Sequence, residues 1–459
     1  MINVSSVIKS KFQSDSVIKR YSLQFPEVVN TDTGVVEKPE KIIPATSIKS
    51  DSVTLTEPLC SEEQLKFGCN ESATFECEIE YEPESLTGRI FNVFLFLGDP
   101  EKETVDIFTV GRYYVDEEEI QSDRNTKTIT AYDGNYIYNN LDVSTWAWQL
   151  QMPMTIKQVR DSLFEYIGNV SQVSKNLPND NTTLSTNPFA GERDITFETV
   201  ITGICEWNAC FGHINREGVF DYISLTPTDN SEVYPSHTLY PSHTLYPKSI
   251  RSKNYYISPT LIKSDITWQN YKCKPVDVIQ IRGKSGAVIY DYHLPNKSTY
   301  TNIYVIMNNW VTEAMDRTNA LPTATVIFAN AIKDITYTPV NANIKMDLSL
   351  EVGDPITLTG TDGTRIPTFI FNRVATGDCS AFDEIEATGY EEWVNDPPDN
   401  DGAIDEVLDD INDLNDRLSD VESKQASGEG QITILSVRQL PASPQRNVLY
   451  LVQGKVYAQ

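Results

Sequence analysis

Along residues 404–425 apolar side chains return at alternating steps of three and four: Ile404, Val407, Ile411, Leu414, Leu418 and Val421, then Gln425. That is a heptad seam, with Ile404, Ile411 and Leu418 at a and Val407, Leu414 and Val421 at d. The remaining positions are nearly all Asp, Asn, Glu or Ser, so the stripe has nothing to bury against except copies of itself or a partner. Arg417 at g can reach Glu422 at e of a neighbouring chain, which favours parallel helices. Valine at two d positions, with Leu408 widening the seam at e, tilts the expectation from a dimer toward a trimer. The helix would be about 33 Å long at roughly 1.5 Å per residue. Six apolar side chains give on the order of 9–18 kcal/mol per chain, gross, against an association cost of roughly 4–15 kcal/mol. The coil therefore reports an assembly whose body also oligomerises. The other reading of the same stripe is an amphipathic helix packed on its own domain.

Upstream the period changes. Alternation of apolar and polar residues predicts strands at 18–25, 73–81, 89–97, 104–114 and 126–132, with an acidic turn over 116–123 joining the last two. A short helix at 4–12 precedes them, and 26–44 reads as a loop. Ser61 can cap a short helix ending near Gly68. Residues 1–150 are thus expected to form a first β domain, a small antiparallel barrel or sandwich.

Residues 151–250 turn helical. Thr155 and Gln158 form a capping box ahead of Ile156, Val159, Leu163, Tyr166 and Ile167 at helical spacing, with Gly168 as the stop. A second helix runs through Val200, Ile201, Ile204 and Trp207 to a stop near Gly212, and 212–225 reads as a hairpin turning at 215–218. The polar stretch 176–187 is expected on the surface. The hexapeptide Tyr-Pro-Ser-His-Thr-Leu occurs twice over 234–246, too few copies for a repeat architecture, and its prolines make it an extended loop.

Residues 251–394 return to strands, at 276–282, 287–292, 302–307, 356–358, 368–371 and 384–390, as a second β domain. A Pro/Asp linker at 395–402 leads into the coiled coil at 403–427. A β module at 428–459 follows, with strands at 431–438 and 448–457, the latter turning at Gln453-Gly454. The expected fold class is mainly β with small α+β elements: two β-barrel-like domains, a trimeric coiled coil and a short β tip.

Charge narrows the partners. With 37 basic and 65 acidic residues the net charge is −28, so phosphate binding, which draws on a basic surface, is not expected. An acidic wall would repel a passing nucleic acid, although solubility is the commoner reason for acidic surface. Residues 1–12 lack the apolar run of a signal peptide, and no stretch could span a bilayer, so the chain is expected to be made in the cytosol and to stay soluble there. Seven cysteines at irregular spacings (Cys60, Cys69, Cys77, Cys205, Cys210, Cys273, Cys379) read as buried free thiols rather than a disulfide framework.

Candidate chemistry is sparse. Cys205, Cys210 and His213 are the nearest approach to a metal cluster, but they lack C-x2-C regularity, and both cysteines fall on or beside an apolar helix face, so core packing is the better reading. His213 and Glu217 straddle a hairpin turn and read as solvated. Asp399, Asp401 and Gly402 resemble part of a calcium loop, yet Pro397 stands where the first ligand belongs and Leu408 where the last does; a Ca²⁺ bound elsewhere in the acidic linker stays open. Glu117, Glu118 and Glu119 sit in the predicted turn without the apolar pocket that separates carboxylate pKa values. His237 and His243 fall in the proline-punctuated loop. No nucleophile elbow, P-loop or dinucleotide fingerprint occurs. The expectation is a chain with no cofactor, no resident metal and no catalytic activity.

The order of several motifs is similar to one family. Ser52-Val53-Thr54-Leu55-Thr56-Glu57-Pro58-Leu59-Cys60-Ser61-Glu62-Glu63 with Leu65-Lys66-Phe67-Gly68-Cys69 resembles the opening of phage tail hub proteins from Firmicute viruses and prophages. Then come Val110-Gly111-Arg112-Tyr113-Tyr114-Val115, Thr128-Ile129-Thr130-Ala131-Tyr132-Asp133 and Pro153-Met154-Thr155 ahead of its helix. The helix-plus-hairpin at 205–225, the stretch 302–310 and Leu350-Glu351-Val352-Gly353-Asp354-Pro355 complete a series over roughly residues 50–390.

The resemblance implies a baseplate hub, similar to the N-terminal part of the siphophage tail-associated lysin family. Two β-barrel-like hub domains per chain and three chains around the axis would close the tail tube until ejection. The partners it implies are two further copies in a homotrimer, a distal tail or tail tube protein, the tape measure protein and, at the tip, a tail fibre or receptor-binding protein. The expected location is the virion tail tip, after assembly in the bacterial host cytoplasm. Family members often continue into a lysin or endopeptidase; this chain passes instead into the coil and a short β segment. That segment, 440–457, resembles modules that end phage tip and fibre chains, and is too small to hold a core alone. It would dock a partner, touch the cell, or fold back as a flap. Two other classes stay open: a receptor-binding or adhesin tip protein, and a tail-associated peptidoglycan hydrolase.

Overall fold

The computed structural model describes residues 4–29, 36–99, 104–122, 124–168, 170–190, 192–225, 255–264, 266–295, 297, 300–378, 381–393, 433–437, 448–452 and 455–457. The chain divides into two compact units, 1–395 and 396–459. The heptad residues Ile404, Val407, Ile411, Leu414, Leu418 and Val421 lie outside the described residues, as do the tandem hexapeptide with His237 and His243, and Asp399 and Asp401 of the linker.

The first unit is mainly β, and alternation sets its largest sheet. Thr74–Glu80 turns Phe75, Cys77 and Ile79 inward, and Thr126–Tyr132 does the same with Lys127, Ile129 and Ala131. Eleven strands pair in the order Thr267–Trp268, Val340–Lys345, Phe382–Ala387, Asn372–Thr376, Thr54–Pro58, Thr74–Glu80, Thr126–Tyr132, Thr104–Ile120, Ile90–Asp99, Ile18–Phe25 and Lys41–Ile43. No strand pairing among the described residues closes this order into a barrel. The sheet takes strands from both ends of the unit. Asn372–Thr376 runs antiparallel to Thr54–Pro58, with Arg373 opposite Glu57 and Ala375 opposite Leu55. Phe75, Phe91 and Tyr113 pack with ring centroids 5.4–6.0 Å apart, and Met346, Leu348 and Ala375 join the same core from the other side of the seam. Each such fully buried large side chain contributes roughly 1.5–3 kcal/mol.

A second core lies among the helices and the smaller sheets. Ile156–Ile167 has the expected capping box between Thr155 and Gln158 and ends at Gly168, φ +71°. Phe197–Trp207, capped by Thr196, buries eight of its eleven residues, and the hairpin Phe211–Ile214/Phe220–Ile223 follows it. Val278–Arg282 pairs antiparallel with Val288–His293 and parallel with Ile303–Met307.

Five local expectations give way to tertiary structure. Residues 61–68 form turns rather than a helix, because Leu65 and Phe67 are drawn into the core and Gly68 adopts φ +97°. The acidic stretch is strand: Thr104–Ile120 carries Glu117–Glu119 along the sheet past a bulge, and Glu118 accepts hydrogen bonds from Ser85 Oγ, Leu86 N–H and Lys127 Nζ at 2.8–3.2 Å. The stretch 176–187 is partly interior, since Asp180 pairs with Arg160 (3.0 Å) and Asn179 is fully buried. Residues 26–44, expected as a loop, carry strands Val28–Val29, Val36–Lys38 and Lys41–Ile43, the last drawn into the large sheet by pairing with Ile18–Phe25 and burying Ile43. A helix at Ala320–Ile332, where no element was expected, fills the space beside Trp207; Pro322 is tolerated in its first turn.

In the second unit Val448–Val452 is the central strand of three, parallel to Thr433–Val437 and antiparallel to Lys455–Tyr457. These are the strands expected at 431–438 and 448–457.

Candidate functional site

Strand Asn372–Thr376 alternates, so Arg373 and Ala375 both point inward. A guanidinium delivered into a core has to be answered there, since an isolated buried charge costs several kcal/mol. Arg373 is fully buried. One of its terminal nitrogens lies 3.0 Å from Glu57 Oε2 and donates to the Leu350 carbonyl at 2.7 Å. The other lies 3.0 Å from Asp383 Oδ2 and donates to the Asp347 carbonyl at 3.3 Å. Asp383 Oδ2 also accepts the Asp347 N–H at 2.9 Å. From the hairpin, Arg216 reaches Glu57 Oε1 at 3.7 Å, donates to the Val110 and Leu348 carbonyls, and lies over the Phe108 ring. Asp347 Oδ2 in turn accepts from Gln13 and Tyr255. Residues from both β regions, the hairpin and the first helix thus meet in one polar joint.

Charge is compensated unevenly across it. Burial pushes the Glu57 carboxyl up, but Arg216 and Arg373, with His213 helping, hold it below its ordinary range. Burial likewise opposes the Arg373 charge, and Asp383, Glu57 and Asp347 overcome it, raising the guanidinium further. Asp383 is fully buried, and there burial pushes the carboxyl up against the pull of Arg373. The N–O contact of 3.0 Å, the Asp347 N–H donated to Asp383 and the Leu350 and Asp347 carbonyls that accept from Arg373 favour the ionised pair.

Beside the joint is a cavity of about 10 Å³ lined by Glu57, Arg112, Tyr113, Asp133, His213 and Arg216 among others. That is room for a single water and nothing larger. His213, expected in a solvated turn, is buried on strand Phe211–Ile214, while Glu217 stays exposed. Asp133, which caps the Gly134–Asn139 helix, is buried, and this pushes its carboxyl up to about 6 despite hydrogen bonds from Ser72, Ala73 and Asn135. Cys205 and Cys210 are fully buried, with the Cys210 thiol donating to the Cys205 carbonyl at 3.5 Å. Among the described residues no group of three or more His, Cys, Asp or Glu is arranged to hold a metal ion.

A larger opening, about 500 Å³, is lined by Pro178, Asn181, Thr183, Asp316, Asn319 and Ile327 among others. Its single carboxylate, Asp316, is held below the ordinary range chiefly by the Thr318 N–H and the Asn319 amide. Acid/base work needs a pair of groups at separated pKa values, and this lining offers no second one.

Sequence reasoning missed Arg373, Arg216 and Asp383. The signal was present: an arginine and an aspartate at inward positions of otherwise apolar-alternating strands, Arg373 beside Ala375 and Asp383 beside Ile385. No helix is long and apolar enough to cross a membrane among the described residues.

No family model matches the chain, and no curated protein does. Solved structures similar to it include the 43 kDa tail protein of prophage MuSo2 from Shewanella oneidensis, with 11% identity and a TM-score of 0.45 over 81% of this chain and 98% of that one. A tail protein from Neisseria meningitidis MC58 is similar at 11% identity and TM-score 0.44, over 82% and 98%. A p2 virion baseplate model in activated conformation has 12% identity and a TM-score of 0.27, over 81% and 100%. By their descriptions these neighbours are a prophage tail protein, a tail protein and a virion baseplate. Identities and scores of this size carry no residue role across.

Proposed function

We propose that the chain is a non-enzymatic structural protein of a phage tail tip or baseplate. In this reading it is a hub whose three copies surround the tail axis, close the distal end of the tube and open for DNA passage. The observation that carries the reading is the seam. Strands 54–58 and 372–376, near the two ends of the hub-like motif series, share one sheet locked by Arg373. Such a joint lets the segments 1–150, 151–250 and 251–394 bear load as one body, as a ring subunit must. The ionised groups there are committed to one another and the adjoining cavity admits only a water, which supports a structural role over a catalytic one.

In the same reading the linker 395–402 and the coil 403–427, with Ile404, Val407, Ile411, Leu414, Leu418 and Val421 as its core, hold the β module 428–459 toward the host. The body would meet a distal tail or tail tube protein and the tape measure protein, and the module a tail fibre, a receptor-binding protein or the cell. A net charge of −28 would keep DNA from adhering to the conduit.

Light scattering on the full chain tests this. A three-chain mass is expected for the wild type, and the double variant Ile411→Asp, Leu414→Asp should lose it while the melting transition of the body stays. A monomer at every concentration, together with no capture of tail tube or distal tail protein, would sink the hub. The separate three-stranded sheet at 433–457 favours one second reading, an adhesin tip; binding of the full chain to host cells, lost on deleting the module, would support it.

A further inference from the structure

Among the described cysteines one pair differs from the rest. Cys60 and Cys69 place their sulfurs 3.5 Å apart, and both turn toward the Lys66 carbonyl, at 3.8 and 3.2 Å. Cys60 is buried, but Cys69 is only partly so. Cys77, Cys205 and Cys210 are each at most 1% exposed and out of reach of reagents in solution. A thiol exchanges with a disulfide only where a sulfur can be approached, and among the described cysteines Cys69 is the one that is not buried.

The loop between them is held at several points. Leu59 N–H donates to the Phe371 carbonyl at 2.7 Å, Phe67 N–H to the Tyr304 hydroxyl at 3.1 Å and Gly68 N–H to the Cys210 carbonyl at 3.0 Å; the Cys69 carbonyl accepts from Gly212 at 3.1 Å. Gly68 cannot be replaced without strain, since a Cβ there would stand 2.9 Å from Glu206 Cβ and from the Thr202 carbonyl at φ +97°. These ties keep the sulfurs together. Closing to a bond of about 2.05 Å asks the side chains to move by about 1.5 Å.

We propose that Cys60 and Cys69 form a reversible redox pair: a small-molecule disulfide enters at Cys69, and Cys60 resolves the adduct into an intramolecular disulfide. In the first step the Cys69 sulfur attacks one sulfur of the reagent, its S–S bond breaks, and the leaving thiolate takes up the Cys69 proton. In the second, Cys60 attacks Cys69 Sγ, the mixed disulfide breaks, and a second small thiol leaves with the Cys60 proton. Two protein thiols are oxidised and one reagent disulfide is reduced to two thiols. The bond closes a short ring over the loop that ties the Thr54–Pro58 strand to the Cys210 and Gly212 backbone and to Tyr304, so it removes freedom from the unfolded chain. This chemistry does not depend on the assembly proposed above.

The test uses the full chain, reduced and then incubated with oxidised glutathione, digested without reductant. Trypsin cuts after Lys66, so peptides 50–66 and 67–89 emerge joined only where the bond has formed, and fragmentation separates Cys69 from Cys77. Linked Cys60–Cys69 peptides are expected, with a melting temperature raised by a few degrees and restored by dithiothreitol. Cys60→Ser should stop at glutathione on Cys69, and Cys69→Ser should leave Cys60 unmodified in the folded protein. Unlinked peptides, glutathione persisting on Cys69 of the wild type, or a Cys69–Cys77 link would each overturn the assignment. Should a serine variant fail to fold, the wild-type peptides decide alone.

Discussion

At the seam between Thr54–Pro58 and Asn372–Thr376, Glu57 meets two guanidinium groups, whereas at the end of the Phe197–Trp207 helix Glu206 meets an amide. Both carboxylates are 7% exposed. Glu57 is held below its ordinary range by Arg216 and Arg373 against the push of burial. For Glu206 burial wins, and the carboxyl is pushed up to about 7, although Asn309 Nδ2 donates to it at 2.7 Å and Lys66 adds a weaker pull. Equal depth gives shifts of opposite sign, so between these two carboxylates the partner makes the difference. Glu57 is thereby kept ionised at neutral pH, and the helix junction is left sensitive to it.

Removing the compensating cation should break the comparison most visibly. Arg373→Met leaves Glu57 with the more distant Arg216 alone and Asp383 with no cation, and is expected to cost about 3–5 kcal/mol in denaturant unfolding. A native group whose pKa is depressed, as in Glu57, lends stability above its unfolded pKa and loses it as pH falls. The gap between variant and wild type should therefore narrow in acid. A loss under about 1 kcal/mol would mean that the network is not compensating charge.

The converse holds at the helix junction. Because the folded pKa of Glu206, about 7, exceeds its ordinary 4.5, the stability it lends is fully present below about 4.5 and is lost as pH rises to about 7. Glu206→Gln keeps an acceptor for Asn309 and removes the titration. It should gain on the order of 1–3 kcal/mol over wild type above pH 7 and almost nothing near pH 4. Asp133 titrates with the same sign, but its window closes near 6, so the part of the slope between pH 6 and 7 that Glu206→Gln abolishes belongs to Glu206. A wild-type stability flat across that interval would remove the distinction between the two sites.

What the sequence made legible follows the range of the forces involved. Period-2 alternation at 18–25 and 126–132, and the Thr155–Gln158 capping box, are local, and each reappears in the folded chain within a residue or so. The seam is not local. Glu57 and Arg373 lie 316 residues apart in sequence, and only an inward-facing arginine hinted that a distant carboxylate would be needed. His213 misled for the same reason: a hairpin turn two residues away argues for solvent, while the strand pairing Ile214 with Phe220 argues for the core. The Ala320–Ile332 helix escaped notice because it is apolar nearly all round, which leaves no stripe to read.

A third carboxylate separates contact distance from burial as the source of these effects. Lys49 Nζ lies 2.5 Å from Glu78 Oε2, closer than any contact Arg373 makes, yet the two side chains are 59% and 30% exposed. Water screens such a pair, and holding a long lysine in one rotamer offsets part of its attraction. Lys49→Met should therefore change unfolding stability by less than about 1 kcal/mol, and added salt should erase whatever difference remains. Were the loss instead to approach that of Arg373→Met, proximity rather than desolvation would govern the charges of this sheet, and the contrast between Glu57 and Glu206 would need another cause.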